Sequence, residues 1–245
     1  MDITLKENEK VEDLQCKGLR IIQNKKWFCF GMDAVLLTNY CDIKNNSKVV
    51  DLGTGTGIIP ILLSGKRNYS KAYGIEIQEE VAEMAKRSVE LNKLQDKIEI
   101  LNADLKNASE FLEPNSFDAV ISNPPYKLNN SGIINPEDKK AISRHEIKCS
   151  LEDVISTAAL LLKQYGRFYM VHRPDRLADI ICLLRKYRLE PKQIRFVYAH
   201  VHDKPNMVLI RASKHGNPEL KFDKPLYIYD DEGNYTDDVY KIYGM

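Results

Sequence analysis

Hydrophobic positions fall into short β-rich runs that alternate with helical patterns from about residue 47 onward. Short apolar runs predict buried strands, whereas apolar residues at helical spacing in Glu79–Leu91 predict an amphipathic helix. The seven predicted strands are Lys48–Leu52, Lys71–Glu76, Ile98–Leu101, Phe117–Ser122, Gly166–His172, Gln193–Val201 and Met207–Ser213. Strands that alternate with helices favour an α/β fold, doubly wound around a mostly parallel sheet, with a late antiparallel strand.

The first 46 residues do not follow this rhythm. Gly18–Gln23 and Trp27–Phe30 predict a short hairpin, and Asp33–Tyr40 predicts a helix capped by Asp33. Two later helices are predicted at Glu152–Lys163 and Asp175–Tyr187. We therefore expect three parts: an N-terminal extension at 1–46 packed on the core, a core at 47–215, and an acidic, tyrosine-rich C-terminal tail at 216–245.

Composition narrows the possible classes of protein. The 245 residues are 43% hydrophobic and 29% charged with a net charge of +1, which is typical of a globular chain with a sizeable core. The longest apolar stretches fall far short of the ~20 residues of a membrane span, and the N-terminus lacks the features of a secretion signal. Five cysteines without a CxxC pair indicate reduced thiols in a cytoplasmic protein. His200 and His202 lack companion ligands, so no metal is expected.

A glycine-rich turn carries the first chemical signal. Residues 51–57, Asp-Leu-Gly-Thr-Gly-Thr-Gly, directly follow a predicted strand and open a helix. Glycines in such a turn let the backbone approach a ligand closely. Glu76 ends the next strand, where its carboxylate could accept both hydroxyls of a ribose, and Asp104 follows the third, within reach of an adenine amine. The carboxyl ends of parallel strands form the ligand-binding edge of open α/β sheets.

The fourth predicted strand ends in the tetrapeptide Asn123-Pro124-Pro125-Tyr126. Together with residues 51–57, this sequence resembles the class I S-adenosylmethionine-dependent methyltransferases that modify a planar nitrogen. The tetrapeptide is similar to that of adenine-N6 methyltransferases and of release-factor glutamine-N5 methyltransferases. The resemblance implies a Rossmann-like seven-stranded fold, S-adenosylmethionine as cofactor and S-adenosylhomocysteine as product.

These residue types suit methyl transfer to a poorly nucleophilic amine. The side-chain oxygen of Asn123 and the carbonyl of Pro124 could each accept one N–H, which would orient the nitrogen and stabilise its developing positive charge. Tyr126 would offer a stacking face. The expected catalytic residues are Asn123, Pro124, Pro125 and Tyr126. The expected cofactor-binding residues are Asp51, Gly53, Thr54, Gly55, Thr56, Gly57, Glu76, Asp104 and Asn123.

Flanking segments resemble one subgroup more closely. Residues 27–37, 144–146, 166–177 and 225–229 are similar to the corresponding segments of the bacterial valine-tRNA adenine-37 N6-methyltransferase family. Similarity to that family implies methylation of N6 of the purine beside the anticodon. A glutamine-N5 methyltransferase, a ribosomal-RNA guanine-N2 methyltransferase and a non-catalytic RNA-binding module that retains S-adenosylmethionine stay open as alternatives.

Charge is distributed unevenly along the chain. Residues 163–214 hold twelve basic and four acidic residues, although the whole chain is nearly neutral. If the basic side chains share one face, they could follow tRNA phosphates while residues 123–126 receive the base. We therefore expect tRNA as the partner, bound through this basic segment. The sequence carries no signal of oligomeric state.

Overall fold

The computed structural model describes residues 4–26, 31–124 and 149–244. It begins with an antiparallel hairpin of β1 (Glu9–Asp13) and β2 (Arg20–Asn24). Strand Arg20–Asn24 pairs with Glu9–Asp13, a pairing that the sequence did not predict. Its predicted partner, Trp27–Phe30, lies outside the described residues. The strand β1 has a single aliphatic residue, Val11, so no apolar run marks it in the sequence.

The main sheet confirms the predicted α/β fold. In the described part of the chain it has nine strands, in the order β10-β8-β9-β7-β6-β3-β4-β5 with β11 beside β8. The strands are β3 Lys48–Leu52, β4 Lys71–Glu76, β5 Ile98–Asn102, β6 Phe117–Ser122, β7 Leu162–His172, β8 Leu189–Tyr198, β9 Pro205–Lys214, β10 Lys221–Phe222 and β11 Leu226–Tyr227. All seven predicted strands are present, and two two-residue strands at the edge are additional. Strand β9 runs antiparallel to both β7 and β8, and every other pairing is parallel.

Helices cover both faces of this sheet. They are α1 Met32–Tyr40, α2 Ile58–Lys66, α3 Glu79–Leu91, α4 Leu151–Leu161, α5 Leu177–Lys186 and α6 Asp237–Tyr243, with 3-10 turns at Leu105–Glu110 and Pro174–Arg176. One apolar cluster joins β2, α1, α2, α3 and α6 to the first face, and a second joins α4 and α5 to the other. Within the described ranges, no helix combines the length and the apolar character needed to cross a bilayer.

Three boundaries of helices and strands differ from the predicted ones. Helix α1 begins at Met32 after Gly31, and Asp33 does not cap it but lies in the first turn, where its Oδ1 accepts the N–H of Ala34 at 2.9 Å. Helix α4 begins earlier than predicted because Ser150 and Asp153 form a reciprocal capping box. It ends at Leu161, and β7 begins at once, earlier than predicted.

The two ends of the chain pack on the first face. Arg87 of α3 donates to Glu9 at 2.6 Å and to Glu83 at 2.7 Å, which fastens the N-terminal hairpin to α3. In the C-terminal segment, Val239 and Ile242 of α6 belong to the same apolar cluster as α1. Helix α1 is apolar through most of its length because it lies between the sheet and these residues.

Candidate active site

The glycine-rich turn between β3 and α2 is held open by its backbone. Gly53, Gly55 and Gly57 have φ values of 76°, 55° and 83°, which disfavour any residue with a side chain. The N–H groups of Gly53 and Thr54 donate to the carbonyl of Ile75 at 3.0 and 2.9 Å, which ties the turn to β4. A Cβ on Gly53 or Gly55 would meet no described atom within 4 Å. The turn therefore lines open space on the side where a ligand would approach.

Asp51 lies beneath this turn and is almost fully buried. Among the described residues, neither of its carboxylate oxygens nor the hydroxyl of Thr54 makes a full hydrogen bond. Burial raises the pKa of Asp51 to about 7; the nearby Thr54 hydroxyl opposes this rise and the charge of Glu76 adds to it. Buried oxygens without partners are costly in a stable core and are more typical of a site completed by a ligand.

Glu76, at the end of β4, connects the turn to the next loop. Its Oε2 accepts the N–H of Gly55 at 3.1 Å and its Oε1 accepts the N–H of Gln78 at 2.9 Å. A carboxylate has about four acceptor positions, so both oxygens can still accept a ligand hydroxyl. Glu76 is therefore placed both to shape the turn and to bind a polar group beside it.

Asp104 follows β5 and caps the next turn. Its Oδ1 accepts the N–H of Lys106 at 3.0 Å, and its Oδ2 lies 3.3 Å from Lys106 Nζ. An open cleft joins Asp104 to Glu76 and Gly53 at the carboxyl ends of neighbouring strands. Its lining consists of Leu52, Gly53, Ile75, Glu76, Ile77, Ala103, Asp104, Leu105, Ser122, Pro124, Cys149 and Val154.

Asn123 and Pro124 leave β6 directly beside the glycine-rich turn. Strands β3 and β6 are parallel neighbours, with Asp51 opposite Ile121. The Ser122 hydroxyl donates to the carbonyl of Leu52 at 2.8 Å, so the two chains are still joined where the strands end. Pro124 is buried and lines the cleft, and Asn123 is half-buried. Pro125 and Tyr126 lie outside the described residues.

Two contributors to this site were missed by sequence analysis. Gly74 lies inside β4, where a Cβ would come within 2.8 Å of the Thr54 side chain; a glycine within a strand is the signal that indicates such a close approach. Cys149 lines the cleft from the chain preceding α4, and burial followed by the charges of Asp153 and Asp104 raises its pKa to about 12. A thiol with so high a pKa is not a nucleophile near neutral pH.

The basic residues of 163–214 do not all lie at one end of the sheet. Parallel strands bring the start of β7 and the start of β8 to the amino end of the sheet, and their ends to the carboxyl end. Lys163 and Lys186 therefore lie at the opposite end from Arg173 and Lys204. No three His, Cys, Asp or Glu side chains in the described ranges converge in a way that could hold a metal ion.

Comparison with known proteins identifies the family. Residues 32–184 match the methyltransferase small domain family. The chain is 33% identical over 162 residues to the tRNA1(Val) (adenine(37)-N6)-methyltransferase of Porphyromonas gingivalis, an alignment that covers 65% of this chain and 63% of that protein. It is 28% identical over 214 residues to the enzyme of the same description from Pedobacter heparinus, with 86% of each chain covered.

A solved structure agrees with this match. The chain is similar to a predicted O-methyltransferase from Agrobacterium tumefaciens, with a TM-score of 0.71, 25% sequence identity and coverage of 87% of this chain and 96% of that one. The family match extends over more than half of the chain, from α1 to α5. The chain therefore belongs to the methyltransferase small domain family.

Proposed function

We propose that this protein transfers a methyl group from S-adenosylmethionine to the exocyclic N6 of an adenine in tRNA, the purine next to the anticodon (position 37) of a valine tRNA. The observation that carries the proposal is the position of Asn123 and Pro124. They follow β6 at the point where the Ser122–Leu52 hydrogen bond joins it to the glycine-rich turn. The names of the relatives support tRNA as the substrate. We expect the activity in the cytoplasm, because that is where a tRNA substrate is met.

The cleft and the turn fit S-adenosylmethionine. Open space beside Gly53 and Gly55 leaves room for a ligand, and the buried oxygens of Asp51 lack full hydrogen bonds among the described residues. Glu76 would accept the ribose hydroxyls with its remaining lone pairs, and Asp104 would accept the adenine amine. Bound there, the cofactor supplies an electrophilic methyl group on a sulfonium.

The residues after β6 would handle the acceptor nitrogen. The lone pair of an adenine amine is delocalised into the ring, so the nitrogen is a weak nucleophile. The side-chain oxygen of Asn123 and the carbonyl of Pro124 would each accept one of its N–H groups. These two hydrogen bonds would orient the nitrogen and stabilise the positive charge that develops on it. The fixed φ of Pro124 would restrict the direction of its carbonyl. We assign Pro125 and Tyr126 to the same acceptor site, where Tyr126 would offer its stacking face to the base.

The segments before and after the proposed core are fastened to it. We infer that residues 47–215 form the methyltransferase core, to which 1–46 and 216–245 are added. The ion pair between Arg87 and Glu9 fastens the first addition, and a hydrogen bond from Lys66 to the carbonyl of Ile242 fastens the second.

A methyl-transfer assay with labelled S-adenosylmethionine tests this function. Total tRNA, ribosomal RNA and protein from the same cells are offered separately, and the labelled products are analysed by mass. We expect N6-methyladenosine in tRNA. Label in protein glutamine or in ribosomal guanine would contradict the proposal in favour of those activities. Cofactor binding with no transfer to any fraction would favour a non-catalytic RNA-binding module.

A further inference from the structure

The basic residues of 163–214 occur at both ends of the sheet, and Lys192, Arg195 and Arg211 lie within strands β8 and β9. Strands β6, β7 and β8 run in one direction, because β7 is parallel to β6 and β9 is antiparallel to both β7 and β8. The turn after β7 and the loop between β8 and β9 therefore lie at the carboxyl end, with the cleft. The start of β7, the end of α5 and the end of β9 lie at the amino end. The six residues of β6 separate the two ends by about 20 Å.

Strand register places Arg173 beside the end of β6, and it places Lys204 at the same end of the sheet. Ser122 lies opposite Met170 in the parallel pair of β6 and β7, so Arg173 leaves the sheet one strand away from Pro124. His172 lies opposite Val208 and Tyr198 lies opposite Pro205, so the loop containing Lys204 extends beyond the end of β7. With strands about 4.8 Å apart, β9 lies about 10 Å from β6, so Lys204 is at the same end of the sheet as Asn123 and to one side of it.

The pairing of the cations also differs between the ends. At the amino end, four cations contact oxygens of other elements: Lys163 with Asp118 at 2.8 Å, Arg167 with Asp42 at 2.6 Å, Lys186 with Glu152 at 2.5 Å, and Lys214 with the carbonyl of Leu162 at 2.9 Å. Two others lie at the surface: Arg185 pairs with Glu190 at 2.8 Å, and Arg188 is exposed and pairs with no acid in the described ranges.

At the carboxyl end, the pairs are local. Arg173 contacts Asp175 at 3.2 Å and Arg176 contacts Asp179 at 2.7 Å, while Lys204 is exposed and pairs with no acid in the described ranges. Local pairs on exposed side chains are worth at most about 1 kcal/mol. A phosphate can therefore replace them without separating packed elements.

We propose that Arg173, Arg176 and Lys204 form a tRNA-contacting surface at the carboxyl end of the sheet. They contact phosphates on either side of the methylated adenine, and the cations at the amino end do not contact the same RNA. This inference rests on the proposed function, because it takes tRNA as the substrate. Phosphate contacts of this kind add affinity without reading sequence.

Two double variants with the same change of charge test this surface. Arg176→Gln with Lys204→Gln removes two cations from the carboxyl end, and Lys186→Gln with Arg188→Gln removes two from the amino end. Each protein is titrated with total tRNA between 50 and 300 mM salt. We expect the first variant to raise the Kd about tenfold at low salt and to lower the slope of log K against log salt by about 1 for each lost contact. The second variant keeps the wild-type Kd within about twofold.

Equal weakening by both variants, or a larger effect of the amino-end variant, would overturn the inference. Unfolding midpoints near that of the wild type exclude a folding defect, and S-adenosylmethionine affinity is measured in parallel as a check on the cleft. Binding and methylation separate the two proposals. If the wild type binds tRNA but methylates no adenine in it, the proposed function fails, and the titrations still decide where the RNA binds. If the wild type binds no tRNA, both fail.

Discussion

The two ends of the central sheet use charge in different ways. At the amino end, Lys163 Nζ and the N–H of Lys48 both donate to Asp118 at 2.8 Å. At the carboxyl end, Asp51 is buried with its oxygens short of full hydrogen bonds among the described residues, and open space lies beside Gly53 and Gly55. Charges at the amino end pair across elements and hold them together, whereas the buried Asp51 at the carboxyl end keeps acceptor positions for a ligand. Function and stability are therefore largely separated along the strands.

The largest expected effect follows from removing the amide of Asn123. Asn123→Ala deletes the acceptor proposed to orient the amine, and loss of one such contact in a transition state costs about 10²–10³ in turnover. We expect the rate constant of methyl transfer to tRNA to fall at least a hundredfold. The affinity for S-adenosylmethionine should stay within a few-fold, because residues 51–57, Glu76 and Asp104 carry most of the proposed cofactor contacts. Single-turnover methylation measures the first quantity and calorimetry the second. A loss smaller than tenfold, about 1.4 kcal/mol, would contradict the role given to Asn123.

The next effect compares two carboxylates with opposite pKa shifts. Burial raises the pKa of Asp51 from 3.8 to about 7, so the folded protein keeps a proton that the unfolded chain releases. We therefore expect the contribution of Asp51 to the free energy of unfolding to fall as pH rises from about 4 to 7. We expect Asp51→Asn to remove this dependence. The free energy of unfolding of the variant relative to the wild type should therefore increase by about 2 kcal/mol between pH 5 and pH 8. Urea unfolding without cofactor measures this difference.

Asp118 provides the control of opposite sign. Burial by itself would raise its pKa, but hydrogen bonds from Lys163 and from the N–H of Lys48 lower the pKa below its usual value. Its contribution to stability is therefore present above the usual pKa and is lost as pH falls through the lowered one. Asp118→Asn should destabilise the protein at pH 8. The same sign of change for both variants would contradict the contrast between the two ends.

A smaller effect distinguishes a clash with the cofactor from strain in the backbone. Gly55 and Gly233 have φ values of 55° and 84°, and a Cβ on either would meet no described atom within 4 Å. Either change to alanine should cost about 1–2 kcal/mol of stability, because the backbone conformation is unfavourable for L-residues. Only Gly55→Ala places a methyl group in the proposed cofactor space, so only this variant should lower the affinity for S-adenosylmethionine, by about tenfold or more. Equal affinities of the two variants would show that the turn does not contact the cofactor.

The smallest effect belongs to the amino end. Arg167→Ala removes an ion pair and a backbone hydrogen bond to Asp42, both at 2.6 Å. Because Asp42 is exposed, we expect the free energy of unfolding to fall by no more than about 1 kcal/mol, with no change in the affinity for S-adenosylmethionine. Urea unfolding and calorimetry measure the two quantities. A tenfold loss of cofactor affinity would mean that the two ends are coupled.

Much of the fold and of the cleft could be predicted from local sequence signals. Strands such as Phe117–Ser122 are short apolar runs bounded by turn residues, and their predicted limits match the structure. The acids after parallel strands were expected at one edge, and Glu76 and Asp104 do line the same cleft. These features depend on residues that are close in sequence and on the shared direction of parallel strands.

Other features depend on tertiary pairing and could not be predicted. Strand β1 is mostly polar and exists because it pairs with β2 and contacts Arg87 of α3. The short strands β10 and β11 are defined only by their pairing with β8. The basic residues of 163–214 are neighbours in the sequence but not in the fold. The chain crosses from one end of the sheet to the other with every strand and helix, so linear charge density did not predict a shared surface.

Site-specific methylation of one tRNA tests the central claim most directly. An unmodified valine tRNA transcript with adenine at position 37, and a matched transcript with guanine there, are incubated with the protein and S-adenosylmethionine and then analysed by nucleoside mass. We expect about one N6-methyladenosine per molecule in the first transcript and none in the second. The same yield from both, or no N6-methyladenosine from a protein that binds S-adenosylmethionine, would contradict methyl transfer to that adenine.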